Sequence, residues 1–266
     1  MKTDENNILS TENLTIGYEQ KKQQKIIAKG INFAIRKGTL NAVIGKNGIG
    51  KSTLLRTLSK VQKPLAGVIF INKKDSKTYQ YQELATTISL VLTERLPESQ
   101  LTVFELIALG RQPYTNWIDS LTKKDLKKIR WAMEQTNLEG LQNNRCSELS
   151  DGQMQRVLIA RALSQDTEII ILDEPTAHLD MHHTIAIFEL LKKLTNSTKK
   201  TIIISTHEIN LATKMCDELI VLSENIIYTG TTAELIQQNA FENLFASKIV
   251  KFDRTLQQYV INSQSF

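Results

Sequence analysis

A glycine-rich run, GKNGIGKST at residues 45–53, combines residue types that can hold a chain of phosphates. Its glycines allow the backbone to wrap around an anion, Lys51 can reach the outer phosphates, and the Ser52 hydroxyl can ligate Mg²⁺. The run follows a strand-like apolar segment and precedes a helical pattern, which is the context that a phosphate-binding loop requires. We therefore predict a nucleotide site. The loop residues assigned to it are Gly45, Asn47, Gly48, Gly50, Lys51, Ser52 and Thr53.

Two other segments place polar residues at the ends of apolar runs. EIIILDEP ends in two carboxylates, of which Asp173 is expected to face Mg²⁺, directly or through water, and Glu174 to be the general base for an attacking water. IISTHE brings His207 to the end of another run, where an imidazole can hold the γ-phosphate and the water in line. The predicted catalytic set for nucleotide hydrolysis is Lys51, Glu174 and His207.

The segment LSDGQ, residues 149–153, has the features of an anion site but no group for covalent chemistry. Ser150 and Gln153 have the spacing of a capping box at the start of a helix predicted over residues 153–163. The free N–H groups and the positive dipole end of such a helix attract anions, and Gly152 would let an anion approach the backbone. The residues assigned to this site are Ser150, Gly152 and Gln153.

Short apolar runs rich in β-branched residues alternate with helical patterns, which predicts an α/β layered fold built on a mainly parallel sheet. With the phosphate-binding loop after one of these strands, the expected fold is an α/β P-loop NTPase core. The earlier runs ENLTIGY and GINFAI suit an antiparallel β subdomain. We predict a single domain with residues 1–92 and 167–266 as the core and residues 93–166 as an inserted helical subdomain. The predicted core strands are LNAVIG ending at Gly45, TISLVL ending at Leu92, EIIIL ending at Leu172, TIIIS ending at Ser205 and ELIVL ending at Leu222.

The composition is that of an ordinary soluble globular protein. The chain has 266 residues, of which 41% are hydrophobic and 23% charged, and its net charge is +5. No apolar run approaches the roughly 18 residues of a membrane span, and MKTDENNILS has no hydrophobic signal core, so we expect a cytosolic protein. Lysine clusters at 21–25 and 123–128 lack interleaved aromatic residues and suit a solvated surface, so we expect no nucleic-acid partner.

Cysteine and histidine patterns do not predict a metal centre. Cys146 and Cys216 have neither metal nor disulfide spacing, and both are expected to be plain thiols. His178 and His182 lie four residues apart around Asp180, but two histidines on one helix face without a third ligand are insufficient for a metal site.

Taken in order, these motifs resemble the ATP-binding subunit of ABC transporters over nearly the whole chain. The matching features are Tyr18, GKNGIGKST, LSDGQ, EIIILDEP, TAHLD and STH. The segment TVFELIALGRQPYTNW, residues 102–117, resembles the ATPases of importers for iron–siderophore complexes, haem or cobalamin.

The resemblance implies a single ABC ATPase domain that uses ATP and Mg²⁺ at the cytoplasmic face of the membrane, as a peripheral subunit. Its expected partners are transmembrane permease subunits, a second copy of the chain and, indirectly, a substrate-binding protein. In this family two domains pack head to tail, and the signature segment of one caps the ATP on the phosphate loop of the other. Ser150 and Gly152 would therefore serve the partner's nucleotide, and Tyr18 would stack on adenine.

The chain departs from the family pattern at two places. Asp151 stands where the signature usually has glycine; its charge would repel a γ-phosphate unless it points away, although a carboxylate is favourable at a helix N-terminus. Thr93 stands where a glutamine usually senses Mg²⁺ and the water. Thr93 could contact Mg²⁺, and Glu94 or Gln100 could substitute for the glutamine.

The leading interpretation is therefore the ATPase of a membrane importer. The alternative is an ABC ATPase without a membrane partner, such as one serving iron–sulfur cluster assembly. A chromosome or DNA-repair ATPase would need a long insertion between phosphate loop and signature, and a non-hydrolysing module would be expected to lack Glu174 or His207.

Overall fold

The computed structural model describes residues 6–20, 23–92, 100–115, 120–223, 226–242, 244 and 249–262. Its strands are β1 (Asn7–Gln20), β2 (Gln23–Arg36), β3 (Leu40–Gly45), β4 (Ala66–Ile71), β5 (Lys74–Asp75), β6 (Ile88–Val91), β7 (Ile169–Leu172), β8 (Thr201–Ser205), β9 (Glu218–Leu222), β10 (Ile227–Gly230), β11 (Val250–Asp253) and β12 (Gln258–Ile261). Its α-helices are α1 (Lys51–Leu58), α2 (Tyr81–Thr87), α3 (Val103–Ala108), α4 (Lys123–Gln135), α5 (Asp151–Ser164), α6 (Met181–Thr198), α7 (Ile209–Met215) and α8 (Thr232–Gln237).

The main sheet has the strand order β10-β9-β3-β8-β7-β6. Its neighbouring strands are parallel except for β10, which runs antiparallel to β9. The inner strands are runs of Ile, Val and Leu buried on both faces, as a parallel sheet covered on both sides requires. All five predicted core strands are confirmed to within one residue at either end. Because β3, β8 and β7 are adjacent, the loops that follow them emerge side by side.

A second, antiparallel sheet in the order β2-β1-β4-β5 confirms the predicted β subdomain. Its apolar side chains share one hydrophobic cluster with α1 and with one face of the main sheet. Helix α1 follows the glycine-rich loop, so burial of this helix fixes the loop against both sheets.

The helical block between β6 and β7 packs on the opposite face of the main sheet, in a second hydrophobic cluster. Helices α3, α4 and α5 each begin with a capping box, in which a hydroxyl and a carboxyl or amide satisfy two backbone N–H groups. The helix after LSDGQ begins at Asp151 and ends at Ser164, slightly longer than predicted. The division of the domain at residues 93 and 166 stays a prediction.

A buried ion pair holds the helical block together. The side chain of Arg111, in the 3₁₀ turn after α3, is only 2% exposed. Its Nε and Nη2 both lie 2.9 Å from Asp125 Oδ1, and its Nη1 donates to the carbonyl oxygen of Ser164 at 2.7 Å. Its guanidinium carbon lies 4.0 Å from the centre of the Tyr114 ring. This residue therefore joins the end of α3 to the start of α4 and the end of α5.

Replacing Arg111 by alanine is expected to lower the free energy of unfolding by about 3–5 kcal/mol, because the carboxylate of Asp125 would stay buried without its charged partner. Urea denaturation followed by circular dichroism measures this change. The exposed Arg130 on α4 provides a matched control, and Arg130→Ala should change stability by no more than about 0.5 kcal/mol. A loss below about 1 kcal/mol for Arg111→Ala would contradict the role given to this pair.

The sequence patterns do not predict the β11–β12 hairpin. Phe252 of this hairpin stacks on Phe241 with ring centroids 4.3 Å apart, and the hydroxyl of Tyr259 donates to the carbonyl oxygen of Phe241. Asn210 on α7 bonds to the backbone of Tyr259. The hairpin thus packs against α7.

Candidate active site

The glycine-rich loop connects β3 to α1, as predicted. Gly48 has φ 74°, a left-handed conformation that favours glycine, and no atom lies within 4 Å of the place where its Cβ would be. Gly50 has φ 111°, and a Cβ there would collide with Ile27 Cγ2. The loop therefore has a backbone shape that other residues disfavour, with open space beside it for a ligand.

Lys51 lies beneath this loop with its side chain largely buried. Its Nζ donates to the carbonyl oxygen of Gly45 at 3.2 Å. Burial lowers the pKa of the Lys51 ammonium, although the negative charges of Glu174 and Asp173 act in the opposite direction. A phosphate beside the ammonium would favour its charged form further. The position thus fits the contact with outer phosphates that the sequence predicts.

Asp173 follows β7 directly and is 2% exposed. Its Oδ1 accepts hydrogen bonds from Ser52 Oγ at 2.9 Å and from Ser205 Oγ at 2.6 Å. The same Ser205 hydroxyl accepts from the backbone N–H of Glu174 at 2.8 Å. Ser205 thus orients both carboxyl-bearing residues. It was not among the predicted site residues, although its place at the end of β8, just before Thr206 and His207, is a usable signal.

Glu174 and His207 meet at the carboxyl ends of β7 and β8. Glu174 Oε1 lies 2.7 Å from His207 Nε2, and His207 Nδ1 lies 3.5 Å from Lys51 Nζ. Glu174 has φ 50°, a left-handed conformation that is rare for residues other than glycine. Backbone strain of this kind is concentrated at functional sites. The three predicted catalytic residues therefore lie in one contiguous group.

Tyr18 lies on β1 beside the same loop. Its hydroxyl lies 2.8 Å from Thr53 Oγ1, and either oxygen can donate. The residue is 41% exposed, so part of its ring is open to solvent. Asn47 is exposed in the loop itself. Stacking of Tyr18 on adenine stays a prediction.

The LSDGQ segment forms the start of α5, with Ser150 as its N-cap. Ser150 Oγ accepts from the backbone N–H of Gln153 at 3.3 Å, and Gln153 Oε1 accepts from the backbone N–H of Ser150 at 3.0 Å, which confirms the capping box. Asp151 is exposed at the first helical position. Gly152 is buried, and a Cβ there would lie 2.7 Å from His183 Cδ2.

The histidine pattern around Asp180 differs from the one inferred from the sequence. Helix α6 begins at Met181, so His178 precedes the helix and does not share a helix face with His182. Asp180 pairs instead with His183: its Oδ2 lies 2.8 Å from the ring nitrogen Nδ1, and its Oδ1 caps the helix. Within the described ranges no group of three or more metal-binding side chains occurs.

Three residues were considered for the role of the usual glutamine, and Gln100 is the one that the structure describes. Thr93 and Glu94 lie outside the described residues, so the assignment of Thr93 to the metal stays a prediction. Gln100 is exposed, and its Oε1 accepts from Arg145 Nη1 at 2.9 Å. That bond holds Gln100 on the helical block.

Comparison with known proteins agrees with this geometry. Residues 28–177 match the family model described as ABC transporter. The chain is 35% identical to the iron(3+)-hydroxamate import ATP-binding protein of Bacillus subtilis over 252 residues, covering 94% of this chain and 92% of the relative.

Solved structures agree as well. A metal-chelate type ABC transporter in an inward-facing conformation superposes with a TM-score of 0.77 at 29% identity, covering 90% of this chain and 89% of that one. A dimeric bacterial ABC transporter cassette superposes with a TM-score of 0.72 at 28% identity, covering 84% of this chain and 98% of the cassette. The same cassette is also known in a post-hydrolysis state with ADP and phosphate.

None of the helices in the described part of the chain is both long enough and apolar enough to cross a membrane. The phosphate loop, the acidic pair after β7 and the histidine after β8 lie together, and the family model covers more than half of the chain. The chain therefore belongs to the ABC transporter family, as an ATP-binding subunit that hydrolyses ATP.

Proposed function

We propose that this chain powers a membrane importer for iron–siderophore complexes or related haem- or cobalamin-type ligands. The observation that carries the proposal of an ATP-driven machine is the cluster of Lys51, Glu174 and His207, which lie in the segments that follow β3, β7 and β8. The likeness to a hydroxamate import ATPase and to a metal-chelate type transporter supports the substrate class. The alternative of an ABC ATPase without a membrane partner receives no support from these relatives.

Within the site, each catalytic residue has a distinct task. Glu174, hydrogen-bonded to His207, accepts the proton of the attacking water, while His207 holds the γ-phosphate and the water in line. Lys51 neutralises the outer phosphates from beneath the loop. Tyr18, near the end of β1, stacks on the adenine ring. The remaining loop contacts to phosphate are assigned to Gly45, Asn47, Gly48, Gly50, Ser52 and Thr53.

Ser52 and Asp173 are the described residues that fit Mg²⁺. Their oxygens lie 2.9 Å apart at the mouth of the phosphate loop, and hydroxyl and carboxylate oxygens are ligands that Mg²⁺ prefers. When bound at these two side chains, the ion would supply positive charge that offsets the negative charge developing on the phosphates. Ser205 would keep Asp173 aimed at that position.

The signature turn, residues 150–152 of the LSDGQ segment, caps the ATP held by the partner chain in a head-to-tail homodimer. Ser150, Gly152 and Gln153 lie at the N-terminus of α5, where free N–H groups and the helix dipole favour an anion. The dimeric arrangement of the related cassette supports this assembly. Asp151 is exposed in the first helical turn, where the same dipole stabilises its negative charge.

The permease docks on the helical block, at the cytoplasmic face of the membrane. Segment 102–117 is partly core, since Val103, Leu106 and Ile107 are buried. Docking is therefore better tested by a single substitution on the exposed surface of the segment than by removing buried residues. Among the described residues of the segment, the surface offered to a partner is formed by Glu105, Leu109, Gln112 and Tyr114. A substrate-binding protein delivers the ligand to the permease on the other side, and nucleic acid is not a partner.

The test of this function is reconstitution with the permease encoded by neighbouring genes. Leu109→Asp should abolish most of the ATPase stimulation by that permease, because a charge would replace an exposed apolar contact, while the ATPase rate of the isolated subunit stays unchanged. The control is Glu139→Gln, an exposed change elsewhere in the helical block that should leave stimulation intact. Failure of the chain to co-purify with any permease, or full stimulation of the Leu109→Asp variant, would contradict docking at this surface.

A further inference from the structure

The imidazole ring of His183, near the start of α6, lies directly on Gly152 in the first turn of α5. A Cβ built on Gly152 would be 2.7 Å from Cδ2 and 3.2 Å from Cγ of that ring. Atoms cannot approach so closely, so any larger residue at this position would have to displace the ring. The histidine therefore occupies the space that a side chain at position 152 would need.

The backbone of Gly152 gives no other reason for a glycine. Its φ is not among the positive values of the described glycines, and it lies within regular α-helix. Glycine weakens such a helix relative to alanine. Contact with the ring of His183 is thus a sufficient explanation of the residue type, independent of any approach by a nucleotide.

The position of the ring is set by Asp180. One carboxylate oxygen accepts from the backbone N–H of His183 and the other lies against ring Nδ1, both at 2.8 Å. Asp180 also ends the loop that begins at Glu174, and short turns hold this loop, including the bond from Ala177 N–H to Glu174 O at 3.1 Å. The histidine thus connects the loop carrying the general base to the signature turn of its own chain.

We propose that His183 is a positioning residue, whose ring, aimed by Asp180, sets the orientation in which the Ser150–Gly152 turn is offered to the ATP of the partner chain. The inference rests on the proposed function, because it assumes that this turn caps a nucleotide across a dimer. In this arrangement the role of Gly152 is to leave space for the His183 ring.

The test uses ATP-driven dimerisation of the non-hydrolysing Glu174→Gln parent, measured by analytical ultracentrifugation over a range of ATP concentrations. Adding Gly152→Ala should raise the ATP concentration for half-maximal dimerisation at least about fivefold, because the new methyl displaces the ring. Adding His183→Ala should raise it about threefold through loss of alignment. The Gly152→Ala/His183→Ala combination should return to the value of His183→Ala alone.

Two further variants separate alignment from folding. His183→Asn keeps a donor for Asp180 on a shorter side chain, so Gly152→Ala/His183→Asn should dimerise better than Gly152→Ala alone. His182→Ala, at the neighbouring exposed histidine, should behave as the parent. The thermal midpoint of His183→Ala should stay within about 2 °C of the parent, which a merely structural role would not predict.

The possible failures are distinct. A combination variant as impaired as Gly152→Ala would show that the nucleotide, rather than the histidine, requires the glycine, and would overturn this inference alone. So would a His183→Ala variant that dimerises like the parent. If the parent itself does not dimerise with ATP, the proposed function fails, and the inference fails with it.

Discussion

Replacing Glu174 by glutamine is expected to lower the rate of ATP hydrolysis at least about a hundredfold while ATP binding persists. The amide keeps the shape of the side chain and can still bond to His207, but it cannot accept a proton from the attacking water. Since Lys51, Ser52 and Asp173 remain in place, the nucleotide should stay bound without turnover. ATP-bound dimers should then accumulate.

The measurements are phosphate release at saturating ATP and equilibrium binding of a fluorescent ATP analogue. Glu189→Gln is the matched control, because it removes an exposed carboxylate of α6 and should retain the full rate. Turnover of Glu174→Gln within about threefold of the wild-type rate would remove Glu174 from the role of general base.

Two inactive variants, Lys51→Ala and Ser150→Arg, are expected to restore one working site when they are mixed. In the Lys51→Ala variant, a chain can no longer hold the phosphates of the ATP bound to its own phosphate loop. Ser150→Arg obstructs the cap that a chain offers to its neighbour. Each homodimer therefore has two defective sites, and each variant alone should lose at least about a hundredfold in nucleotide trapping. In the mixed dimer one site has both lesions, while the other has an intact lysine and an intact cap.

Trapping of radiolabelled nucleotide by vanadate measures this recovery, even when steady turnover needs both sites. The yield should approach half of the wild-type value per mixed dimer, after correction for the fraction of mixed dimers formed. The control for subunit exchange is a mixture of two samples of the Lys51→Ala variant that carry different tags. If mixed dimers form and trap no more nucleotide than the separate variants, Ser150 serves its own chain or only caps α5.

The sequence by itself was sufficient for the predicted core strands, the glycine-rich loop and the helix start at Ser150, but not for the β11–β12 hairpin. The core strands were predictable because a parallel sheet buried on both faces needs continuous apolar runs such as those ending at Gly45 and Ser205. The phosphate loop was predictable because its backbone shape depends on nearby glycines such as Gly48. The capping box of Ser150 and Gln153 involves residues only three positions apart. The signal for each of these features is contained in one short segment of the chain.

Only the tertiary structure decided how distant groups meet. Ser205 joins Asp173 through the pairing of β7 with β8, and their separation of 32 residues carries no periodic signal. The ring of His183 reaches the signature turn because α6 begins at Met181, a boundary that the histidine spacing did not reveal. Strand order and helix packing result from burying the whole set of apolar faces at once, so these contacts cannot be obtained from any single segment.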